Sequence, residues 1–457
     1  MKSVAVRPNE PSSLMSSEPE ILLDRRGTAA IVTLNRPAAL NAVTRGMLRT
    51  LHEALERWRH DGAVSRIIVT AAGGRAFSAG GDLRQIYEAG RAGRQEEPIA
   101  FWREEYALNA AIKRYPKPYV ALIDGIVMGG GVGVSVHGSH RVAGDRFQFA
   151  MPEVGIGFFP DVGATWFLPR LPGEIGTYCA LTGERLTSAD ALAAGIATHR
   201  IASASFADAA EALCGTDLVD AILAAFAEPV GQAGTYTSPR LPSGRLRPSS
   251  TGYGEVSPSF SSRASRREEK GRVRGPSHES EPMESHPYPD PLHSPSKTGV
   301  NALMASGRDK EGAPLSGSKS LEQGPLAVRR RAIDRIFAPG RVEDIVALLD
   351  AEATTASADA QWAGEVAAMI RTKAPLSLKI ALAQMRRGRH WSFEECMQAE
   401  FRIVSRVAYG HDFYEGIRAV IIDKDNRPRW QPAKLAEVTA ETVERHFAPL
   451  EAELVLP

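Results

Sequence analysis

Three consecutive glycines, Gly129-Gly130-Gly131, end the stretch Gly125-Ile-Val-Met, and two carboxylates, Glu153 and Asp161, follow soon after. A ligand can approach a backbone N–H closely beside a glycine, and Val132-Gly-Val-Ser-Val, after the triplet, can open a helix that adds the positive end of its dipole. Such a turn suits stabilisation of a developing oxyanion. A second glycine pair, in Phe77-Ser-Ala-Gly80-Gly81-Asp82, stands at another predicted strand exit and offers a second donor. Alone, either would be read as a tight turn. Together they supply two N–H groups, which is what a thioester carbonyl needs as it becomes tetrahedral.

Glu153 lies in Met151-Pro-Glu153 and Asp161 in Phe159-Pro-Asp161, with Gly155, Gly157 and Pro160 between them. Those residues oppose a continuous helix and predict an irregular loop. Met151, Val154, Ile156, Phe158 and Phe159 make the loop apolar, so its carboxyls should be partly buried and raised towards a range useful for proton transfer. Glu105 is a third candidate. It follows Glu104 on a predicted helix, where a solvated face is the competing reading. His137, His140, His199 and His411 are not spaced as metal ligands, and a structural or surface role is expected for each. The chain lacks a GxSxG elbow, a GxGxxG fingerprint and a P-loop, which argues against serine hydrolase, nicotinamide and nucleotide chemistry. Neither a metal nor a cofactor is expected.

The elements that must position these residues alternate. Ala29-Ala-Ile-Val-Thr-Leu reads as a buried strand left by the turn Asn35–Asn41, and Leu48, Leu51, Leu55 and Trp58 recur at helical spacing. Ile67-Ile-Val-Thr is the next strand, Gln95–Arg114 a helix with Pro98 in its first turn, and Tyr119–Ile123 the strand that feeds the glycine turn. Strands alternating with helices predict an α/β fold with crossover connections. Further on, Leu186–Gly195 carries helix caps and a glycine stop, and Ile196–Ile201 returns extended. From about residue 230 to 325 the composition turns to Ser, Pro, Gly and Arg, which predicts a disordered low-complexity insertion. Helical periodicity resumes near Ala327. The expected organisation is a disordered tail over 1–19, a core over 20–229, the insertion over 230–325 and a helical region over 326–457.

The 457 residues carry a net charge of +1, so no global field points to nucleic acid or to an anionic membrane surface. Arginines within 240–274 lack the interleaved aromatics of a nucleic-acid site, and no apolar run reaches membrane-spanning length. Cys179, Cys214 and Cys396 lie far apart without a CxxC pattern, which fits a reducing compartment. With no secretory signal evident, the expected location is cytoplasmic, the mitochondrial matrix being left open.

These motifs resemble the enoyl-CoA hydratase/isomerase (crotonase) superfamily, and within it the 3-hydroxyisobutyryl-CoA hydrolases. The resemblance is carried by Asn35-Arg-Pro-Ala-Ala-Leu-Asn-Ala, Phe77-Ser-Ala-Gly-Gly-Asp, Trp102-Arg-Glu-Glu-Tyr, Met128-Gly-Gly-Gly-Val-Gly-Val-Ser-Val-His-Gly, Ala150-Met-Pro-Glu, Gly157-Phe-Phe-Pro-Asp-Val-Gly and Gly410-His-Asp-Phe-Tyr-Glu-Gly-Ile-Arg-Ala. It implies a spiral of ββα units completed by C-terminal helices, and an acyl-CoA substrate. It implies oxyanion donors at the N–H of Gly81 and Gly130, and substrate-contacting carboxylates at Glu105, Glu153 and Asp161. Glu153 would activate water or attack the carbonyl itself, Asp161 would hold the 3-hydroxyl or protonate the thiolate, and Glu105 would orient either group. Where hydratases of the family carry a glutamate after the glycine triplet, this chain has Gly133, which favours hydrolysis; where a lysine is common, it has Ala38. The implied reaction is hydrolysis of 3-hydroxyisobutyryl-CoA in valine degradation, with no metal or redox cofactor, and a homo-oligomer is an expectation of the same resemblance. The alternatives are an enoyl-CoA hydratase or isomerase on this fold, and a non-catalytic binding protein that has kept it.

Overall fold

Short runs of β-branched and small apolar residues build the central sheet. Strands β1 (Ile21–Arg26), β2 (Ala29–Leu34), β3 (Arg66–Ala71), β5 (Tyr119–Ile123), β7 (His140–Ala143) and β9 (His199–Arg200) lie in the order β1-β2-β3-β5-β7-β9, parallel except for the β1–β2 hairpin. In between, β4 (Ala76–Ser78), β6 (Ile126–Met128) and β8 (Gln148–Ala150) form a second, three-stranded parallel sheet in the order β4-β6-β8. From β3 onward the chain therefore adds one strand to each sheet in turn, and this alternation is the spiral of ββα units that the resemblance implies. The computed structural model describes residues 18–227 and 324–457, and both stretches belong to one unit. Residues 1–17 of the expected tail and 230–323 of the expected insertion lie outside the described residues.

One face of the large sheet packs Ile68, Val120, Leu122 and Val142 against Ala209, Leu213, Ile222 and Leu223. Parallel strands covered in this way need apolar side chains on both faces, which is why β5 is buried at every position. Helix α1 (Arg45–His60) buries Leu48, Leu51 and Leu55 and is capped by Thr44, whose hydroxyl accepts from the N–H of Met47. Helix α2 (Leu83–Arg91) is capped by Asp82, and helix α3 (Glu96–Lys113) has Pro98 in its first turn, where its missing N–H costs nothing. The Ser188–Ala194 helix opens with Thr187 and Asp190 in a reciprocal capping box and stops at Gly195 in the left-handed region.

Beyond the undescribed stretch the chain is helical, over Pro325–Ile336, Val342–Ala353, Ala360–Arg371, Pro375–Gly388, Phe393–Val407, His411–Ile417 and Ala440–Phe447. These helices fold back on the core. The N–H of Ala374 donates to the carbonyl of Val154, and a side chain at Gly157 or Gly416 would collide with backbone across the interface at 2.1 and 2.3 Å. Among the described residues no helix is long and apolar enough to cross a membrane.

Candidate active site

The three strands of the small sheet end side by side, and each carboxyl end delivers one candidate: β4 leads to Gly81, β6 to Gly130 and β8 to Glu153. Ligands of parallel sheets commonly bind beyond such ends. The first turn is fixed by the Asn35–Asn41 segment. Asn41 donates to the carbonyls of Ala72 and Ala76, both at 2.9 Å, and accepts from the N–H of Arg36, while Arg36 pairs with Asp82 at 3.0 Å. Val43 then brackets the glycines. Its N–H donates to the carbonyl of Gly80 and its carbonyl accepts from the N–H of Asp82, at 2.8 and 3.0 Å.

Gly129, at φ 46° and ψ −124°, turns the chain out of β6, and one helical turn, α4 (Gly130–Gly133), begins at once. The sequence placed the helix start after the triplet; instead two of the three glycines lie within α4, because the backbone there packs too tightly for side chains. A Cβ on Gly131 would stand 2.5 Å from the carbonyl oxygen of Ser78. A Cβ on Gly130 would stand 3.4 Å from the nitrogen of Gly81 and 2.5 Å from Oε1 of Glu105, so the two proposed donors and a carboxylate converge on one spot. That spot belongs to a cavity of about 500 Å³, open mouth included, lined also by Trp102, Glu153, Phe158 and Asp161.

All three sequence-chosen carboxylates are buried: Glu105 is 2% exposed, Glu153 6% and Asp161 4%. The solvated reading of Glu105 therefore gives way. Its neighbour Glu104 is the one that faces solvent, ion-paired with Arg45 and Arg49 at 2.6 and 2.7 Å; partial burial pushes its carboxyl up, but the bonds from those arginines outweigh this and bring it to about 2. Glu105 shares the apolar stripe of α3 with Phe101, Trp102, Leu108 and Ile112. Burial raises its carboxyl well above the ordinary range, and the charges of Asp161 and Glu400 raise it further. Glu153 is raised by burial and then by Asp161. Burial pushes Asp161 up to about 7, against the hydroxyl of Tyr106, which donates to its Oδ2 at 2.9 Å. An ionised Asp161 thus favours the protonated form of both Glu105 and Glu153. One oxygen each of Glu105 and Glu153 is buried without a hydrogen-bond partner, leaving it free for a substrate or a water.

The C-terminal helices complete the wall. Phe413 packs against Trp102 and Phe158 with ring centroids 5.8 and 5.2 Å apart, and Trp102 stacks on Phe158 at 5.5 Å. Glu400 accepts from the N–H of Gly163 at 2.7 Å and of Thr165 at 2.8 Å, in the loop that carries Asp161. Sequence reasoning missed Glu400 and Tyr106. A signal for Glu400 was present: it sits at helical spacing from Cys396, Met397, Ile403 and Val404, a carboxylate on an apolar stripe. Of the histidines, His137 is buried and structural. Its ring, which burial brings down to about 3, is neutral, and Nε2–H donates to the carbonyl of Val162 at 2.7 Å. The cysteines are free and buried, and no cluster of metal-ligating side chains occurs among the described residues.

Two glycines that line a cavity beside three raised carboxyls offer N–H groups that can polarise a carbonyl, while the carboxyls can exchange protons with water or a leaving group. The chain is similar to proteins of that chemistry. A family model described as enoyl-CoA hydratase/isomerase matches residues 29–242 and 293–447. The zebrafish (Danio rerio) protein named "3-hydroxyisobutyryl-CoA hydrolase, mitochondrial" is 37% identical over 440 residues, covering 96% of this chain and 92% of that one. The human protein of the same name is 36% identical over 431 residues, covering 94% and 89%. Among solved structures, a carnitinyl-CoA dehydratase from Mycobacterium thermoresistibile superposes with a TM-score of 0.70 at 35% identity, covering 95% of this chain and 98% of that one. An enoyl-CoA hydratase from Rhodobacter sphaeroides gives 0.67 at 30%, with 94% and 98% covered.

Proposed function

The chain belongs to the enoyl-CoA hydratase/isomerase family and hydrolyses the thioester of 3-hydroxyisobutyryl-CoA, and from that premise we propose that Glu153, Asp161 and the N–H groups of Gly81 and Gly130 carry the reaction. The observation that carries this reading is the convergence of the two glycine turns and the buried carboxyls on one cavity. The N–H groups of Gly81 and Gly130 hold the carbonyl oxygen as it gains negative charge. Glu153 must work as a carboxylate. It either takes a proton from water as the water oxygen attacks the carbonyl carbon, or attacks that carbon itself to give a mixed anhydride that water then opens. In both routes the carbon–sulfur bond breaks and the CoA thiolate takes up a proton. The proton that Glu153 takes from water returns to the thiolate in the first route, and solvent supplies it in the second; Asp161 holds the 3-hydroxyl or assists that protonation, and Glu105 orients the pair. CoA is part of the substrate and water the only co-reactant, so no further cofactor enters.

The structural relatives named dehydratase and hydratase raise the second reading, addition of water to a double bond. Gly133 speaks against it. A Cβ there would lie 2.8 Å from Nδ2 of Asn109 and 2.9 Å from Cβ of Val162, so the space a second glutamate would need is filled. The paired assay is direct: 3-hydroxyisobutyryl-CoA should release free thiol, detected with a disulfide reagent, while crotonyl-CoA should keep its conjugated-enone absorbance. Fast hydration of crotonyl-CoA without thiol release from the hydroxyacyl ester would reverse the assignment.

A reducing compartment is proposed for the chain, since its three cysteines are free and buried. The curated relatives carry "mitochondrial" in their names, and the sequence-based expectation was the cytoplasm. Cell fractionation tests the choice between them. A homo-oligomer is proposed on the family resemblance; sedimentation at the mass of one chain would refute it.

A further inference from the structure

The loop that carries Asp161 has a strained backbone. Val162, a β-branched residue, sits at φ 52°, and Gly163 follows at 88°. Few residues tolerate the left-handed region less well than valine, so the surroundings must impose it. Three side chains from distant parts of the chain do so. His137 donates to the carbonyl of Val162 at 2.7 Å, and Gln384 donates to the carbonyl of Pro160 at 3.0 Å and to Oγ1 of Thr165 at 2.7 Å. Glu400 takes the N–H groups of Gly163 and Thr165, one on each carboxylate oxygen. Of the three, only Glu400 can carry a charge where it sits, at 0% exposure on the apolar stripe of the Phe393–Val407 helix. A carboxylate is unfavourable in such a place unless its oxygens are met by donors, and here both are. A leucine or methionine would fill the same volume without that requirement.

We propose that Glu400 is a positioning residue for the hydrolysis: by binding the N–H groups on both sides of Ala164 it holds the strained loop that presents Asp161 to the Tyr106 hydroxyl and to the substrate. The inference rests on the assignment of Asp161 to the site. It also gives the C-terminal helices a part in the chemistry, since the residue that shapes the loop comes from a segment 237 positions further along the chain. The titratable groups whose charges act on Glu400, or on which its charge acts, are Asp161, Glu105, Tyr106 and Cys396. Replacing Glu400 with a neutral residue therefore removes an anchor from the Asp161 loop and, where Glu400 is ionised, a like charge that acts on Glu105.

The test compares Glu400→Gln, Glu400→Asp and Asp161→Asn by thiol release from 3-hydroxyisobutyryl-CoA across a pH series, with thermal unfolding as the check on folding. Gln presents an amide N–H₂ to one of two backbone donors, so the loop loses one anchor. Turnover should fall on the order of 10²-fold, the scale of a small misplacement of a reacting group, with KM within about threefold of wild type. The pH at which the buried carboxyls limit kcat should move down, because a neighbouring negative charge is gone. Glu400→Asp keeps the charge but is one methylene shorter; it should restore the position of the pH profile and only part of kcat. Wild-type turnover in Glu400→Gln, a fall in kcat with an unmoved pH profile, or failure of both Glu400 variants to fold would overturn the proposal. If Asp161→Asn itself keeps wild-type turnover, the site assignment fails, and this inference falls with it; loss in Asp161→Asn without loss in Glu400→Gln defeats the inference alone.

Discussion

Replacing Gly130 by alanine adds one methyl group at the point where the proposed oxyanion site closes. The new Cβ would lie 2.5 Å from Oε1 of Glu105, a distance that real Cβ contacts do not show, and 3.4 Å from the nitrogen of Gly81. A carbonyl oxygen held by both N–H groups must come within about 2.7–3.1 Å of each nitrogen. A methyl carbon beside the Gly81 nitrogen leaves no room for that oxygen, so at least one donor is lost to the transition state. Loss of one such donor lowers kcat by about 10²–10³-fold, or about 2.7–4 kcal/mol of transition-state stabilisation. The assay is initial-rate thiol release from 3-hydroxyisobutyryl-CoA, with melting temperature measured in parallel. Gly62→Ala serves as the control, since nothing lies within 4 Å of a Cβ built there. A folded Gly130→Ala enzyme within about threefold of wild-type kcat would refute the oxyanion assignment.

Three further outcomes are expected. The rate should rise with pH above neutrality, because Glu153 acts as a carboxylate and both burial and the charge of Asp161 hold its proton on; a rate falling steadily from about pH 6 to pH 9 would contradict a basic role. Stability should move the other way: Asp161 and Glu400 are raised from 3.8 and 4.5 to about 7 and 8, so the folded state keeps protons that the unfolded chain releases, and the melting temperature should drop as pH rises through that window. Asp161→Asn should flatten that slope, and an unchanged slope would count against the buried cluster as its source. In a single turnover in ¹⁸O-water, label found in Glu153 by mass spectrometry would identify an anhydride opened at the Glu153 carbonyl, whereas direct attack by water leaves Glu153 unlabelled.

The parts of the site that are local in sequence were legible there. The glycine turns, Met151-Pro-Glu153 and Phe159-Pro-Asp161 each stand at the end of an apolar run, and the alternation of strands and helices that aligns them follows from periodicity. The strands Ile126–Met128 and Gln148–Ala150 of the second sheet were not foreseen, because three residues leave no period to read. The helix start after the glycine triplet was misplaced for a related reason: the sequence does not reveal that Ser78 and Val162 crowd the backbone. Glu105 was read by its neighbour, Glu104, when its spacing from Phe101, Trp102 and Leu108 pointed inward. Tyr106, Gln384 and Glu400 act through contacts that bring together residues 55 to 237 positions apart, and no local pattern encodes such pairing.

The most direct test of the account is the rate of thiol release from 3-hydroxyisobutyryl-CoA by the wild-type protein and by Glu153→Gln, measured side by side. The substitution keeps the shape of the side chain and removes its charge and its capacity to accept a proton, so substrate binding should be nearly unchanged. The account predicts rapid release by the wild type and a loss of roughly 10²–10⁴-fold in kcat for the variant, the range for removal of a positioned acid–base group. A folded Glu153→Gln protein that turns over within about tenfold of wild type would contradict it.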